Sequence, residues 1–272
     1  MIKIQFREPP LDKQSSLLRW TINILNANMI KPIKKLSQNF VVNPIIIRDV
    51  VKSVERNGSL VEVGSGLGTL SYFLSRKVRD LKAFFEIDTR LAEISLNLID
   101  DGIVVNSNAL LHEWRFKQLV STVPYHLTSS IIIKTARSNE IEKAVLVLQR
   151  EVVDRILAKP GTSNYGRLTI IVNLLFDAEP GPSYPPSFFY PEPDVYSRMI
   201  ILRRRRLYDK VMSYLEDITR KIFSEKRKRV GKVFSSKLGL NEDDIRKLGI
   251  DPMKRIYELS EIEILRVTEE LL

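Results

Sequence analysis

The stretch "VEVGSGLGTL", residues 61–70, constrains the fold more tightly than any other ten residues of the chain. An apolar run ends on Gly64, Gly66 and Gly68, and a helical pattern begins at once. A buried parallel strand turns into a helix in this way where the backbone must pass closely under a nucleotide-like ligand. The flanking sequence repeats the theme. Apolar runs at 60–64, 82–87, 102–106, 117–122 and 143–149 alternate with amphipathic runs at 69–78, 89–99, 127–137 and 150–158. Such alternation specifies an α/β domain with a mixed, mostly parallel sheet covered by helices on both faces. Two further strand-like runs, 167–176 and 195–203, follow without a clear helix between them and are expected at an antiparallel edge of that sheet. Helical patterns at 13–28 and 44–54 precede the alternation, with Pro44 suited to a first helical turn.

From Leu207 onward the pattern is charged and helical throughout, with Gly239 and Gly249 as terminators. This predicts two domains, 1–206 and a small all-helical 207–272. Charge is concentrated near that boundary. Between Arg203 and Lys232 stand 12 Lys/Arg against 4 Asp/Glu, in a chain whose formal net charge is +10. The runs Arg203, Arg204, Arg205, Arg206 and Lys226, Arg227, Lys228, Arg229 suit a polyanion, because each phosphate contact releases counterions. A single run of this kind is usually a solvated face; two within thirty residues favour nucleic acid. Zero cysteines and two histidines, His112 and His126, leave little from which to build a metal site, so none is expected. No apolar stretch approaches the ~18 residues of a membrane span, and "MIKIQFREPPLDK" lacks the apolar segment of a secretory signal, which points to the cytoplasm.

Two features accompany the glycine loop. Glu86 ends the next strand in "FFEID", where a carboxylate can accept both hydroxyls of a ribose. A glycine loop joined to such an acid points to a nucleoside cofactor over a mere structural turn, without separating a dinucleotide from S-adenosylmethionine. The second feature is "TVPY", Thr122, Val123, Pro124 and Tyr125, at the carboxyl edge of the fourth strand. Proline there is compatible with an ordinary strand-ending turn. It also fits transfer to an adenine amino group. Acceptors at position 122 and on the carbonyl before the proline bind the amino hydrogens and free the lone pair, while the tyrosine face stacks on a flipped base.

The chain resembles the ribosomal RNA adenine dimethyltransferases of the KsgA type from about Lys34 to the C-terminus. The resemblance rests on "KKLSQNF", "VEVGSGLGTL", "FEID", "TVPY", "LQREVVDRILAKPGTSNYGRL", "PPSFFYPEPDVYS" and "FSEKRKR", in that order. It implies a Rossmann-like S-adenosylmethionine-dependent methyltransferase domain followed by a helical rRNA-binding domain. The implied activity is N6-methylation, with dimethylation expected, of two adjacent adenosines near the 3' end of small-subunit rRNA during ribosome biogenesis; a monomer is expected. It further implies that Gln38, Asn39, Val41, Gly64, Gly66, Gly68, Glu86, Asn108 and Thr122 hold the cofactor. Tyr125 would stack on the target adenine, and Phe189 would close on it from the other side; on the residues alone Phe189 reads as loop packing against prolines.

Three positions depart from the family pattern. Asn108 stands where the family has Asp, which replaces a charged acceptor by a neutral one at a cost of about 1–2 kcal/mol in cofactor binding. Asn43 stands where Asp is usual and is expected to affect only a loop or a helix cap. Thr122 stands where the family has Asn, which leaves the Val123 carbonyl intact beside a shorter acceptor; a lost acceptor typically costs about two to three powers of ten in rate. An alternative of another class is a non-catalytic rRNA-binding assembly factor with a decayed pocket.

Overall fold

The structure, a computed structural model, describes residues 8–272. Residues 1–7, part of the stretch read above for a secretory signal, lie outside the described residues. The elements in chain order are α1 (Gln14–Ala27), β1 (Phe40–Val41), α2 (Pro44–Ser53), β2 (Leu60–Val63), α3 (Thr69–Lys77), β3 (Lys82–Glu86), α4 (Thr89–Leu98), β4 (Ile103–Asn106), β5 (Gln118–Thr122), α5 (Thr128–Arg137), β6 (Lys143–Gln149), α6 (Arg150–Ile156), α7 (Arg167–Leu175), β7 (Phe176–Tyr184), β8 (Phe189–Tyr190), β9 (Ser197–Arg204), α8 (Lys210–Phe223), α9 (Val230–Leu238), α10 (Glu242–Lys247) and α11 (Glu261–Glu270). Contacts divide the chain into two compact units. One comprises Met1–Arg150, as far as it is described, with Glu179–Arg203; the other comprises Glu151–Ala178 with Arg204–Leu272.

The first unit carries a seven-stranded sheet in the order β4-β3-β2-β5-β6-β9-β7. β2 pairs in parallel with β3 and β5, β3 with β4, and β5 with β6; β9 runs antiparallel to β6. Every residue of β2 is buried, as expected for a strand covered on both faces, while the residues of β4, at the edge, are partly or fully exposed. β9 thus supplies the antiparallel strand expected over 195–203, shifted to Ser197–Arg204, but the edge position is taken by β7 and not by β9. The helices begin where the sequence supplies caps: Asn43 Oδ1 accepts from the Ile45 amide ahead of Pro44, and Asp88 Oδ1 from the Arg90 amide. Of the two local roles expected of Asn43, a loop or a helix cap, it takes that of the cap.

α1 braces the front of the sheet. Its Ile24 and Leu25 join Ile30, Phe40, Leu67, Leu91 and Ile94 in one apolar cluster, so the helix packs on the glycine loop itself. Gln14 donates to the Ser187 carbonyl at 2.6 Å and accepts from Asn43 at 2.8 Å, which ties α1 to the turn before Phe189.

The second unit corrects one expectation. Residues 167–176 read as a strand, yet Arg167–Leu175 is the helix α7. Thr169 Oγ1 decides it locally: it accepts from the Gly166 amide at 3.3 Å and donates to the Arg155 carbonyl at 2.6 Å. Ile170, Ile171, Val172, Leu174 and Leu175 are buried almost all round, so the helix carries no polar stripe to betray its period. The contact boundary also differs from a break at 206, because Glu151–Ala178 groups with the C-terminal helices. α8 places Met212, Leu215, Ile218 and Ile222 on one face, all fully buried with Val233, Phe234, Ile256 and Val267. Each such aliphatic side chain contributes about 2–3 kcal/mol of burial. Among the described residues no helix is long and apolar enough to cross a membrane, and no group of three or more His, Cys, Asp or Glu could hold a metal ion.

Candidate active site

The carboxyl ends of β2, β3 and β5 open on a cavity of about 280 Å³ in the first unit. Its walls include Gln38, Asn39, Val41, Gly64, Ser65, Gly66, Glu86, Asn108, Thr122 and Pro124. The glycine loop turns beneath it with φ of 78°, 57° and 78° at Gly64, Gly66 and Gly68, a region that side chains other than glycine rarely adopt. Gly68 does not line the cavity; it carries the turn. A Cβ there would lie 2.7 Å from Ser95 Oγ and 3.1 Å from Ser95 Cα, and Ser95 Oγ in turn donates to the Gly66 carbonyl at 3.0 Å.

Glu86 links this loop to β3. Oε2 accepts from the Gly66 amide at 2.8 Å and Oε1 from the Asp88 amide at 2.9 Å. Burial pushes the carboxyl up, against the pull of those two donors. One lone pair on each oxygen remains for a ligand. Gln38 donates to Asp88 at 2.9 Å and accepts from the Ile33 amide at 2.8 Å, so it orders the loop before β1 against the end of β3. Asn108 spends its side-chain oxygen on the Leu110 amide at 3.0 Å. Its role at the cavity wall is therefore also that of a cap for the turn 109–111.

A second, much narrower cleft of about 10 Å³ is lined by Ser37, Asn39, Thr122, Val123, Tyr125, Val147, Phe189 and Ser197. The β1–β8 ladder sets Phe189 opposite Val41, and Phe189 is buried at 5% exposure. Tyr125 Oη meets Ser197 Oγ at 3.1 Å, and burial raises its pKa. The Val123 amide donates to the Val147 carbonyl at 3.0 Å, whereas no backbone donor around the turn ends on the Val123 carbonyl. Ser37, Asn39 and Thr122 line both spaces, so the two meet there. The arrangement sets a cavity bounded by the glycine loop and the buried Glu86 carboxylate against a slot lined by Tyr125, Phe189 and Val123, with Ser37, Asn39 and Thr122 at the junction.

The family whose model matches residues 29–272 is described as ribosomal RNA adenine dimethylase. The chain belongs to that family. It is 32% identical, over 83% of its length and 94% of the relative's, to a protein of Pyrobaculum islandicum named "Probable ribosomal RNA small subunit methyltransferase A". It is 30% identical, over 88% of its length and 93% of the relative's, to ribosomal RNA small subunit methyltransferase A of Clostridium acetobutylicum. Among solved structures, the 23S rRNA methyltransferase ErmE superposes with a TM-score of 0.64 at 25% identity, over 86% of this chain and 99% of that one. A dimethyladenosine transferase from Plasmodium falciparum shares the fold at a TM-score of 0.73 and 23% identity, over 85% and 96%.

In this family member the side chains of the two basic runs are largely engaged within the chain. Arg203 faces Glu55 at 3.8 Å, Arg205 faces Asp177 at 3.5 Å and Arg206 faces Asp209 at 3.4 Å. Arg204 lies over the Phe176 ring at 4.6 Å, and burial lowers its pKa to about 10. Lys226 donates to the Ser163 carbonyl, Lys228 pairs with Glu225 at 2.5 Å, and Arg229 contacts Met253 Sδ. Several cavity residues carry no sequence signal that reasoning on motifs would have found. Ser65 Oγ is buried without a partner among the described residues, Ser197 positions Tyr125, and His126 Nδ1 meets Ser37 Oγ at 3.0 Å across the mouth.

Proposed function

We propose that the chain is an S-adenosylmethionine-dependent rRNA adenine N6-methyltransferase that dimethylates two adjacent adenosines near the 3' end of small-subunit rRNA. The observation that carries this reading is the junction of two spaces at Asn39 and Thr122: a cavity closed by the glycine loop and Glu86, and a slot between Tyr125 and Phe189. The residues present fit the cofactor. Glu86 has two unused lone pairs for ribose hydroxyls, and the unpartnered Ser65 hydroxyl is a polar group buried in the same wall. S-adenosylmethionine supplies a methyl group on a sulfonium sulfur.

Thr122 and the Val123 carbonyl accept from the adenine amino hydrogens, which localises the nitrogen lone pair. With the cofactor bound at the glycine loop and Glu86, that pair would be placed to accept its methyl group, the proton of the nitrogen passing to water. Tyr125 and Phe189 hold the ring plane so that the nitrogen faces the cavity. The narrow slot implies that Tyr125 gives up its bond to Ser197, or Phe189 shifts, when a base enters. In this reading 1–206 acts as the methyltransferase domain, 207–272 contributes rRNA binding, and the protein works as a monomer in the cytoplasm. The test is labelled methyl transfer from S-adenosylmethionine to unmodified small ribosomal subunits. Label in the rRNA is expected; its absence, with intact subunits and folded protein, overturns the proposal.

A further inference from the structure

The residues that read as the RNA footprint are mostly matched by internal partners, and the chain carries another cationic surface that is not. Lys31, Lys34 and Lys35 are exposed, and none has a carboxylate partner among the described residues. No acidic residue lies between Lys31 and Phe40. Their backbone is held firmly: the Ile30 amide donates to the Leu25 carbonyl at 2.8 Å, the Ile33 amide to Gln38 Oε1 at 2.8 Å, and the Ser37 amide to the Lys34 carbonyl at 2.9 Å. Ile30 is anchored in the cluster with Leu67 of the glycine loop. The short turn Lys34–Leu36 leads directly into Ser37 and Asn39, which line both the cavity and the aromatic slot. Ser37 also meets His126, the residue after Tyr125.

We propose that Lys31, Lys34 and Lys35 form the phosphate-binding lip of the active site, gripping the RNA backbone beside the adenosine that enters the Tyr125–Phe189 slot. The inference rests on the methyltransferase reading above. An unpaired lysine gains a phosphate without surrendering an existing partner, whereas Arg203, Arg205 and Arg206 must exchange a carboxylate for it. For the same counterion release per phosphate, a lip contact therefore keeps more of its favourable free energy than one made by the arginine run. Its fixed backbone places that charge next to the reacting base and not merely somewhere on the protein.

The test uses an RNA hairpin with two adjacent adenosines in its loop, with binding measured by filter retention over a salt series in the absence of any methyl donor. The slope of log K against log salt is expected to fall by about 2 in the K31A/K34A/K35A variant, at roughly 0.7–0.9 per contact. The KM for RNA in methyl transfer rises in parallel, while binding of S-adenosylmethionine stays within about twofold. The charge-preserving K31R/K34R/K35R variant keeps the slope, which guards against local misfolding as the cause. An unchanged slope in the alanine variant overturns the proposal, as does an equal loss in the arginine variant. Because binding is read without transfer, the two proposals fail separately. A wild-type protein that transfers no methyl but shows the slope change refutes the activity and supports the lip. Normal transfer with an unchanged slope does the reverse.

Discussion

Replacing Glu86 by Gln isolates the contribution of one buried carboxylate to cofactor binding. Its two oxygens accept the Gly66 and Asp88 amides at 2.8 and 2.9 Å, and the residue is 7% exposed. In the Gln variant one oxygen becomes an NH2 group that faces a backbone donor. Within the protein the lost charged bond costs about 1.5–3 kcal/mol, partly offset because a buried charge no longer has to be desolvated. The backbone around it is held independently: the Glu86 carbonyl accepts from Asn106 Nδ2 at 2.9 Å and from the Ser107 amide at 3.1 Å. The fold should survive with a melting temperature only a few degrees lower. The cofactor loses more. If Glu86 holds the ribose as proposed, two hydroxyls that had a charged acceptor keep at best one neutral oxygen, a loss of about 3 kcal/mol, or roughly a hundredfold in Kd. Titration calorimetry with S-adenosylmethionine measures this, with a thermal melt of the same sample as control. A Kd within about threefold of wild type, in a variant that melts normally, refutes the assignment of Glu86 to the ribose.

Three other perturbations test separate links. Gly68→Ala forces a side chain into a φ of 78° and against Ser95; we expect about 2 kcal/mol of destabilisation, read as a drop of roughly 4–8 °C in melting temperature. Glu62 is fully buried, bonded to Ser71 Oγ at 2.5 Å, and pushed up to about 8 by burial. The folded protein thus keeps a proton that the unfolded chain loses above about 4.5, so stability falls as pH rises from about 4.5 to about 8. Glu62→Gln is neutral throughout, and its melting advantage over wild type should grow between pH 5 and pH 8; parallel pH profiles contradict this. Thr122→Asn supplies the longer amide acceptor of the family and should raise the single-turnover rate by about tenfold or more without altering cofactor affinity. An equal or slower rate means that Thr122 is already adequate.

The strands β2, β3, β5 and β6 were legible because each is a buried apolar run closed by glycine, proline or a charged turn, and the order of motifs then located the cavity at their carboxyl ends. Two segments were not. Arg167–Leu175 is rich in Ile, Val and Leu with no polar stripe, so its helical period is invisible, and only the Thr169 bonds distinguish it. Phe176–Tyr184, "FDAEPGPSY", contains two prolines and a glycine and carries no strand pattern beyond Phe176; it is tolerated as a strand because it lies at the sheet edge. In the site, the glycine loop, Glu86 and "TVPY" stood out as contiguous patterns. The pairs Tyr125–Ser197 and Ser37–His126 join residues far apart in the chain, and nothing local announces them. The same limit applies to charge. The arginine run looked available because the sequence cannot tell that Glu55 waits opposite Arg203, or that Asp177 waits opposite Arg205.

In the proposed mechanism Tyr125, Phe189, Thr122 and the Val123 carbonyl present an adenine amino group to the cofactor cavity. The most direct measurement is nucleoside analysis of small-subunit rRNA after reaction of unmodified subunits with S-adenosylmethionine. N6,N6-Dimethyladenosine is expected at two adjacent positions near the 3' end, and is expected to be lost with Tyr125→Ala while cofactor affinity is retained. Methylation at another base or ring atom, or undiminished dimethyladenosine in the Tyr125→Ala variant, would contradict it.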